Sequence, residues 1–177
     1  GLPQVPSISL RYNSQAGNGV AGYGWTIGGI SVITQTNKNI YYHGTSDAAS
    51  LTEPEFALDG VPLVQNTDIL SDTYPYITAR GHILARITES AGYARRFEVL
   101  YPDGSRAEYG VSLYSTMAVL SYPVTRIEDV RGNYMTFSYI ESDGVYHISD
   151  IRYGRDATRP LVASIHFGYE DRDDYVN

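Results

Sequence analysis

Along much of this chain apolar and polar side chains alternate one for one, and short glycine-containing turns interrupt the alternation. Such alternation puts every second residue on the same side of an extended strand, so it predicts strands with one covered face. Ile8, Leu10 and Tyr12 alternate with Ser7, Ser9 and Arg11, which predicts an opening strand whose Ile8/Leu10/Tyr12 face is buried. From Arg95 onward the pattern is cleanest. Phe97, Val99 and Tyr101 alternate with Arg96, Glu98 and Leu100, Pro102-Asp103-Gly104-Ser105 turns the chain, and Arg106 to Tyr109 returns. Val124 to Asp129 and Tyr134 to Ile140 flank Val130-Arg131-Gly132-Asn133, and Ser142-Asp143-Gly144 leads into Val145 to Tyr153. In the last strand Leu161, Ala163, Ile165, Phe167 and Tyr169 share one face. Connections this short join antiparallel neighbours, because a parallel crossover needs a dozen residues or more.

The middle of the chain is less regular. Gly17-Asn18-Gly19-Val20-Ala21-Gly22 is a glycine loop feeding a second strand read from Trp25 to Thr34, and Ile40-Tyr41-Tyr42-His43 is a short third. Asp47 to Glu55 is small and polar, a loop. Phe56 to Val64 reads as two short strands around the Asp59-Gly60 turn. Gln65 to Pro75 has the weakest signal, so an internal loop or boundary belongs there. Val111 to Leu120 is the best helix-period candidate, yet it is short, uncapped and equally compatible with a strand or a loop. The fold class is therefore all-β: an antiparallel meander of hairpins forming a twisted sheet, a partial shell or a sandwich, with little helix. Residues 1–177 read as a single β-rich module, and neither Gly1 nor the closing Asp173-Asp174-Tyr175-Val176-Asn177 has the character of a domain limit, so the chain reads as part of something larger.

A chain of 177 residues can bury roughly 70% of its unfolded surface and needs no staples. It has none: there is no cysteine, which excludes disulfides and thiolate metal sites. Tyrosine is unusually frequent, 17 against 4 Phe, and suits half-buried pleated surface with its ring packed and its hydroxyl wet. The 13 Lys and Arg are scattered against 20 Asp and Glu, a net charge of -7, which argues against phosphate-backbone binding and hence against a nucleic-acid partner. No apolar run approaches the ~20 residues of a membrane span, and no charged-then-apolar leader opens the chain.

Catalytic, cofactor and metal chemistry find little support. Gly17 to Gly22 matches G-x-G-x-x-G, but it runs into the strand-like Tyr23-Gly24-Trp25-Thr26-Ile27 where a dinucleotide site needs a helix N-terminus. His43, His82, His147 and His166 lie far apart without metal-ligand spacing. Glu53 and Glu55, or Asp171, Asp173 and Asp174, supply carboxylates, but the terminal cluster lacks the central glycine of a calcium loop, and no G-x-S-x-G elbow occurs. No residue is assigned as catalytic, cofactor-binding or metal-ligating. The Asp-Gly and Gly-Asn pairs have a sufficient explanation as hairpin turns.

Pro6-Ser7-Ile8-Ser9-Leu10-Arg11-Tyr12-Asn13-Ser14, with Gly17-Asn18-Gly19 and Gly22-Tyr23-Gly24-Trp25-Thr26-Ile27, resembles the opening of the Salmonella plasmid-virulence B protein family. That family includes the N-terminal part of the B component of insecticidal toxin complexes and large secreted proteins of the Rhs, or YD-repeat, type. Tyr101 to Gly110, Thr125 to Tyr139 (with Asp129, Gly132 and Asn133) and Ile148 to Gly154 resemble its downstream strands. The family-motif positions are Pro6, Tyr12, Asn13, Gly17, Gly19, Gly22, Gly24, Trp25, Asp103, Gly104, Asp129, Gly132 and Asn133, all in structural roles. The resemblance implies a β-shell module, secreted or on a bacterial surface, whose partner is the rest of the parent polypeptide and whose enzymatic activity lies in other domains. A second reading is a glycan- or protein-binding module using exposed tyrosines and Trp25. Open strand edges in so partial a shell also predict self-association of the isolated chain.

Overall fold

The computed structural model describes residues 5–15, 18–19, 21–36, 54–91, 94–110, 121–142, 145–155 and 163–170. Among these residues there is no helix. The first strands are β1 (Ser9–Tyr12), β2 (Asn18–Gly19), β3 (Gly22–Tyr23) and β4 (Trp25–Gly28). β1 pairs antiparallel with β4, and the small β2–β3 hairpin lies between them in sequence. The predicted second strand from Trp25 to Thr34 is in fact two. Gly29 adopts a left-handed φ of 92° and passes so close to Ser7 that a Cβ would lie 1.8 Å from the Ser7 carbonyl oxygen. That bend separates β4 from β5 (Val32–Thr36), which joins another sheet.

From β5 the chain meanders through β6 (Glu55–Leu58), β7 (Val61–Gln65), β8 (Tyr76–Thr78), β9 (Leu84–Ala91), β10 (Ala94–Leu100), β11 (Arg106–Tyr109), β12 (Ser121–Glu128), β13 (Tyr134–Ser142), β14 (Val145–Arg155) and β15 (Ala163–His166). Each is hydrogen-bonded antiparallel to the next. One pairing is not sequential. Ser121, Tyr122 and Pro123 of β12 pair with Thr34, Ile33 and Val32 of β5, so the strands β5 to β12 close into an eight-stranded ring. β12 pairs with β5 through its first residues and with β13 through Arg126 to Glu128, so β13, β14 and β15 leave the ring as a three-stranded extension. Pro123 sits near this branch, where it offers only its carbonyl, and that oxygen accepts the Gly110 amide at 2.9 Å.

The all-β antiparallel meander expected from alternation is what the chain forms, and closure turns it from a sheet with open sides into a barrel. Alternation is read directly in burial: Phe97 and Val99 are buried, as are Ala107 and Tyr109 across the Pro102–Ser105 turn. Phe56 of β6, Phe97 of β10 and Tyr122 of β12 meet inside, with ring centroids 4.9 Å (Phe56–Phe97), 5.0 Å (Phe97–Tyr122) and 6.2 Å (Phe56–Tyr122) apart, all edge-on. The bore is filled by side chains. Asp59 and Gly60 both have positive φ, 49° and 80°, as the two-residue turn between β6 and β7 requires.

Residues 66–75, the segment of weakest signal, form a loop pinned at both ends. Asn66 is buried, its amide donating to the Pro75 carbonyl and its side-chain nitrogen to the Tyr74 carbonyl, each at 2.8 Å. Strands β8 and β9 follow it in a region that alternation alone had left without elements. The candidate strand Ile40 to His43, the segment Val111 to Leu120, the turn residues Asp143 and Gly144, and Leu161 lie outside the described residues. Described residues of the last strand alternate as predicted, with Ala163, Ile165, Phe167 and Tyr169 half-buried and Ser164, His166 and Gly168 exposed.

Candidate functional site

Pairing of β1 with β4 sets Tyr12 opposite Trp25 and Leu10 opposite Ile27. Side chains two apart on a strand and directly opposite across a ladder share a face, so these four form one apolar face of a two-stranded ribbon, with Ser9, Arg11, Thr26 and Gly28 on the other. The Tyr12 and Trp25 rings are 5.2 Å apart and inclined at 53°. Gly24 makes this possible: with φ 78° its amide carbonyl accepts the Asn13 amide at 2.8 Å, and a Cβ there would stand 2.7 Å from the Tyr12 ring. Asn13 then closes the strand with an Asx turn, its Oδ1 accepting the Gln15 amide at 3.0 Å. Gly19 pairs with Gly22 in the small hairpin. Pro6 is half-buried, and Gly17 lies outside the described residues.

The predicted burial of this face is the main point the structure corrects. Ile8 and Ile27 pack against the barrel core together with Ile30, but Leu10 is 65%, Tyr12 59% and Trp25 40% exposed. The ribbon extends beyond the barrel far enough that only its Gly28 end is covered, so the alternation is real while most of its apolar side meets solvent.

Asp103, Gly104, Asp129, Gly132 and Asn133 lie at turns between strands. Asp103 Oδ1 accepts the Ser105 amide (2.9 Å) and hydroxyl (2.6 Å), which holds its carboxyl below the usual range. Asp129 accepts the Asn133 side-chain amide (2.8 Å) and the Asn133 and Arg131 backbone amides (2.9 and 2.8 Å), with the same effect, caused first by the Asn133 side chain. The two turns are neighbours, since a Cβ on Gly104 would meet Val130 at 2.7 Å. The motif residues thus fall into two groups, the ribbon and this pair of turns.

A polar chain that runs from the exposed Asp59 to the buried Tyr109 is not legible in the sequence. Asp59 accepts the Val32 amide (2.9 Å) and the Ser31 hydroxyl (2.7 Å); Ser31 Oγ lies 2.9 Å from the Tyr109 hydroxyl, which lies 2.8 Å from that of Tyr101. It ties the linker leaving the ribbon to the β6–β7 turn, to β11 and to Tyr101 just after β10. Burial pushes the Tyr109 phenol far up and raises Tyr101 as well, so both stay neutral donors. The Asp59-Gly60 turn and the tyrosine excess were the available signals, but neither reveals which distant partners meet.

Among the described residues, carboxylates gather in a concavity of about 320 Å³ lined by Glu89, Glu98, Glu108 and Arg96 among others. Two of its carboxylates have structural partners: Glu98 accepts the Tyr74 hydroxyl at 2.8 Å and pairs with Arg86 at 3.0 Å, and Glu89 pairs with Arg96 at 3.4 Å. Arg86 also lies over the Tyr74 ring, so Glu98 pins the 66–75 loop to the barrel. Among the described histidines, His166 lies 3.0 Å from Asp150 and His147 packs on Tyr169; among the described residues no three His, Asp or Glu side chains are grouped as metal ligands. Glu55 begins β6, while Glu53, His43 and Asp171, Asp173 and Asp174 lie outside the described residues.

Residues 3–70 match the family described as Salmonella virulence plasmid 65kDa B protein, so the opening motif's resemblance is borne out. No curated protein matches the chain in sequence. The fold resembles the N-terminal domain of effector protein SpvB from Salmonella typhimurium strain LT2, with TM-score 0.64 and 16% identity over 89% of this chain and 61% of that one. It also resembles TcdB2-TccC3 (TM-score 0.59, 16% identity, 97% of this chain and 11% of that one) and the Photorhabdus luminescens Tc holotoxin pore (TM-score 0.56, 17% identity, 84% and 8%). The chain therefore spans less than two thirds of the SpvB domain and a small part of the toxin chains.

Proposed function

We propose that this chain, whose residues 3–70 carry the signature of the plasmid-virulence B family, is a non-catalytic structural module of a larger exported toxin-like polypeptide. In that role it contributes one closed β-unit to a shell that folds, encloses or presents other domains. The observation that carries the reading is a barrel whose interior holds the packed rings of Phe56, Phe97 and Tyr122, while the ribbon's apolar face is left outside. Similarity to small parts of long toxin chains supports the same view. Residues 1–177 act in it as one unit.

The test is to delete these residues from the parent polypeptide. The expected result is that downstream domains keep their own activity when isolated, but the whole polypeptide assembles defectively. Saturable turnover by the 177-residue chain alone, lost on Glu98→Gln or Glu108→Gln, would refute the reading. Recognition of a glycan or a foreign protein is the second reading, favoured by the exposure of Trp25 beside Tyr12, and a glycan array with wild-type and Trp25→Ala chains tests it.

A further inference from the structure

We propose that the Leu10/Tyr12/Trp25 face of the N-terminal ribbon is a docking surface for a further β-segment of the same polypeptide, which covers it with an apolar face of its own. The inference rests on the structural-module reading and names the surface through which the module joins its neighbours. A two-stranded ribbon has too little area to hold itself together in water and needs a third layer or strand against its apolar side. Here Ile27 supplies that contact at one end of the face, by packing on the barrel core, and the apolar surface continues outward from it through Leu10, Tyr12 and Trp25. Docking there extends an existing core.

Composition agrees with a protein occupant. None of the 20 acidic residues occurs before Asp47, so the ribbon contains no carboxylate, and its one charged side chain, Arg11, lies on the opposite face across Gly28. Interface cores are depleted in charge and rich in aromatic residues. The source of the occupant follows from length. The chain accounts for 61% of the solved domain with this fold, so about two fifths of that domain is additional polypeptide within the same unit.

Trp25 is the single tryptophan of the chain and lies on the proposed surface, so 5-fluorotryptophan labelling gives one ¹⁹F resonance that reports on it. The labelled chain is titrated with the adjoining polypeptide of the parent protein, and complex formation is followed separately by size exclusion. The expected result is a complex with a shifted, saturating Trp25 resonance. Leu10→Lys weakens it at least about ten-fold, and Thr26→Lys on the other face changes it less than about two-fold. Because Leu10 is exposed, both variants keep the wild-type circular dichroism; the resonance reads the outcome without any variant. A complex with an unmoved resonance overturns the docking surface and leaves the module reading standing, whereas no complex at all removes both. A shift that depends on the concentration of the chain alone, or that a glycan reproduces, assigns the face to self-association or to sugar and equally overturns the proposal.

Discussion

Closure of the barrel can be tested by a coupling energy between two strands that an open meander would hold far apart. Phe56 and Phe97 belong to β6 and β10, four strands apart in either direction around the ring. In an open sheet that separation is about 19 Å at ~4.8 Å per strand, yet the two ring centroids lie 4.9 Å apart at 75°. Both side chains are buried, 2% and 1% exposed. An edge-to-face pair contributes about 0.5–1.5 kcal/mol beyond its burial. Phe56→Leu, Phe97→Leu and the double variant, each measured by urea denaturation, should therefore show a double-mutant coupling in that range. Leucine keeps most of the volume, so each single change should remain within about 1.5 kcal/mol and the double variant should still fold. Sites more than about 7–10 Å apart are additive to within about 0.3–0.5 kcal/mol. Additivity at that level, with unchanged m-values, would show that the rings do not touch and that β12 does not close onto β5.

Tyr109→Phe removes the hydroxyl between Ser31 and Tyr101 and leaves the half-buried Tyr101 hydroxyl short of a partner, so urea denaturation should show a loss of about 1–2 kcal/mol; no loss would mean that water replaces the bond. Burial raises the phenols of Tyr101, Tyr109 and Tyr139 in the folded state, so their contribution is fully present below the ordinary pKa of about 10 and is lost as pH rises above it, by up to about 1.4 kcal/mol per pH unit for each. Urea midpoints flat from about pH 9 to 11, with phenolate absorbance rising in the folded protein, would contradict that. Gly24→Ala forces a left-handed residue against the Tyr12 ring, at about 1–2 kcal/mol, and should shift Trp25 emission while leaving the barrel's thermal transition in place. Asp129 should titrate by NMR below about 3.9, and Asn133→Ala should return it toward that value.

Turn chemistry and alternation were readable because they are local. Asp59-Gly60 and Asp103-Gly104 place a residue that tolerates positive φ where a hairpin needs one, and Phe97, Val99, Ala107 and Tyr109 declare a shared inward side. β8 and β9 escaped notice because turn-like residues such as Asn66-Thr67-Asp68 crowd the approach to them, while the features that seat the loop, Tyr74 on Glu98 and Asn66 on Tyr74, join residues whose proximity exists only after folding. Gly29 sits in a strand-forming run, and its approach to Ser7 is a contact that exists only in the folded chain.

By itself, then, the amino-acid order determined an all-β antiparallel meander, the hairpin turns, and the family signature of its first residues. Tertiary structure decided that β12 returns to β5, that Ser31, Asp59, Tyr109 and Tyr101 form one hydrogen-bonded chain, and that Leu10, Tyr12 and Trp25 are exposed. The division has a physical cause. Alternation states which side chains lie on the same face, because pleat geometry is a property of neighbouring residues, but what covers that face is a contact between distant segments and enters only when the chain closes on itself.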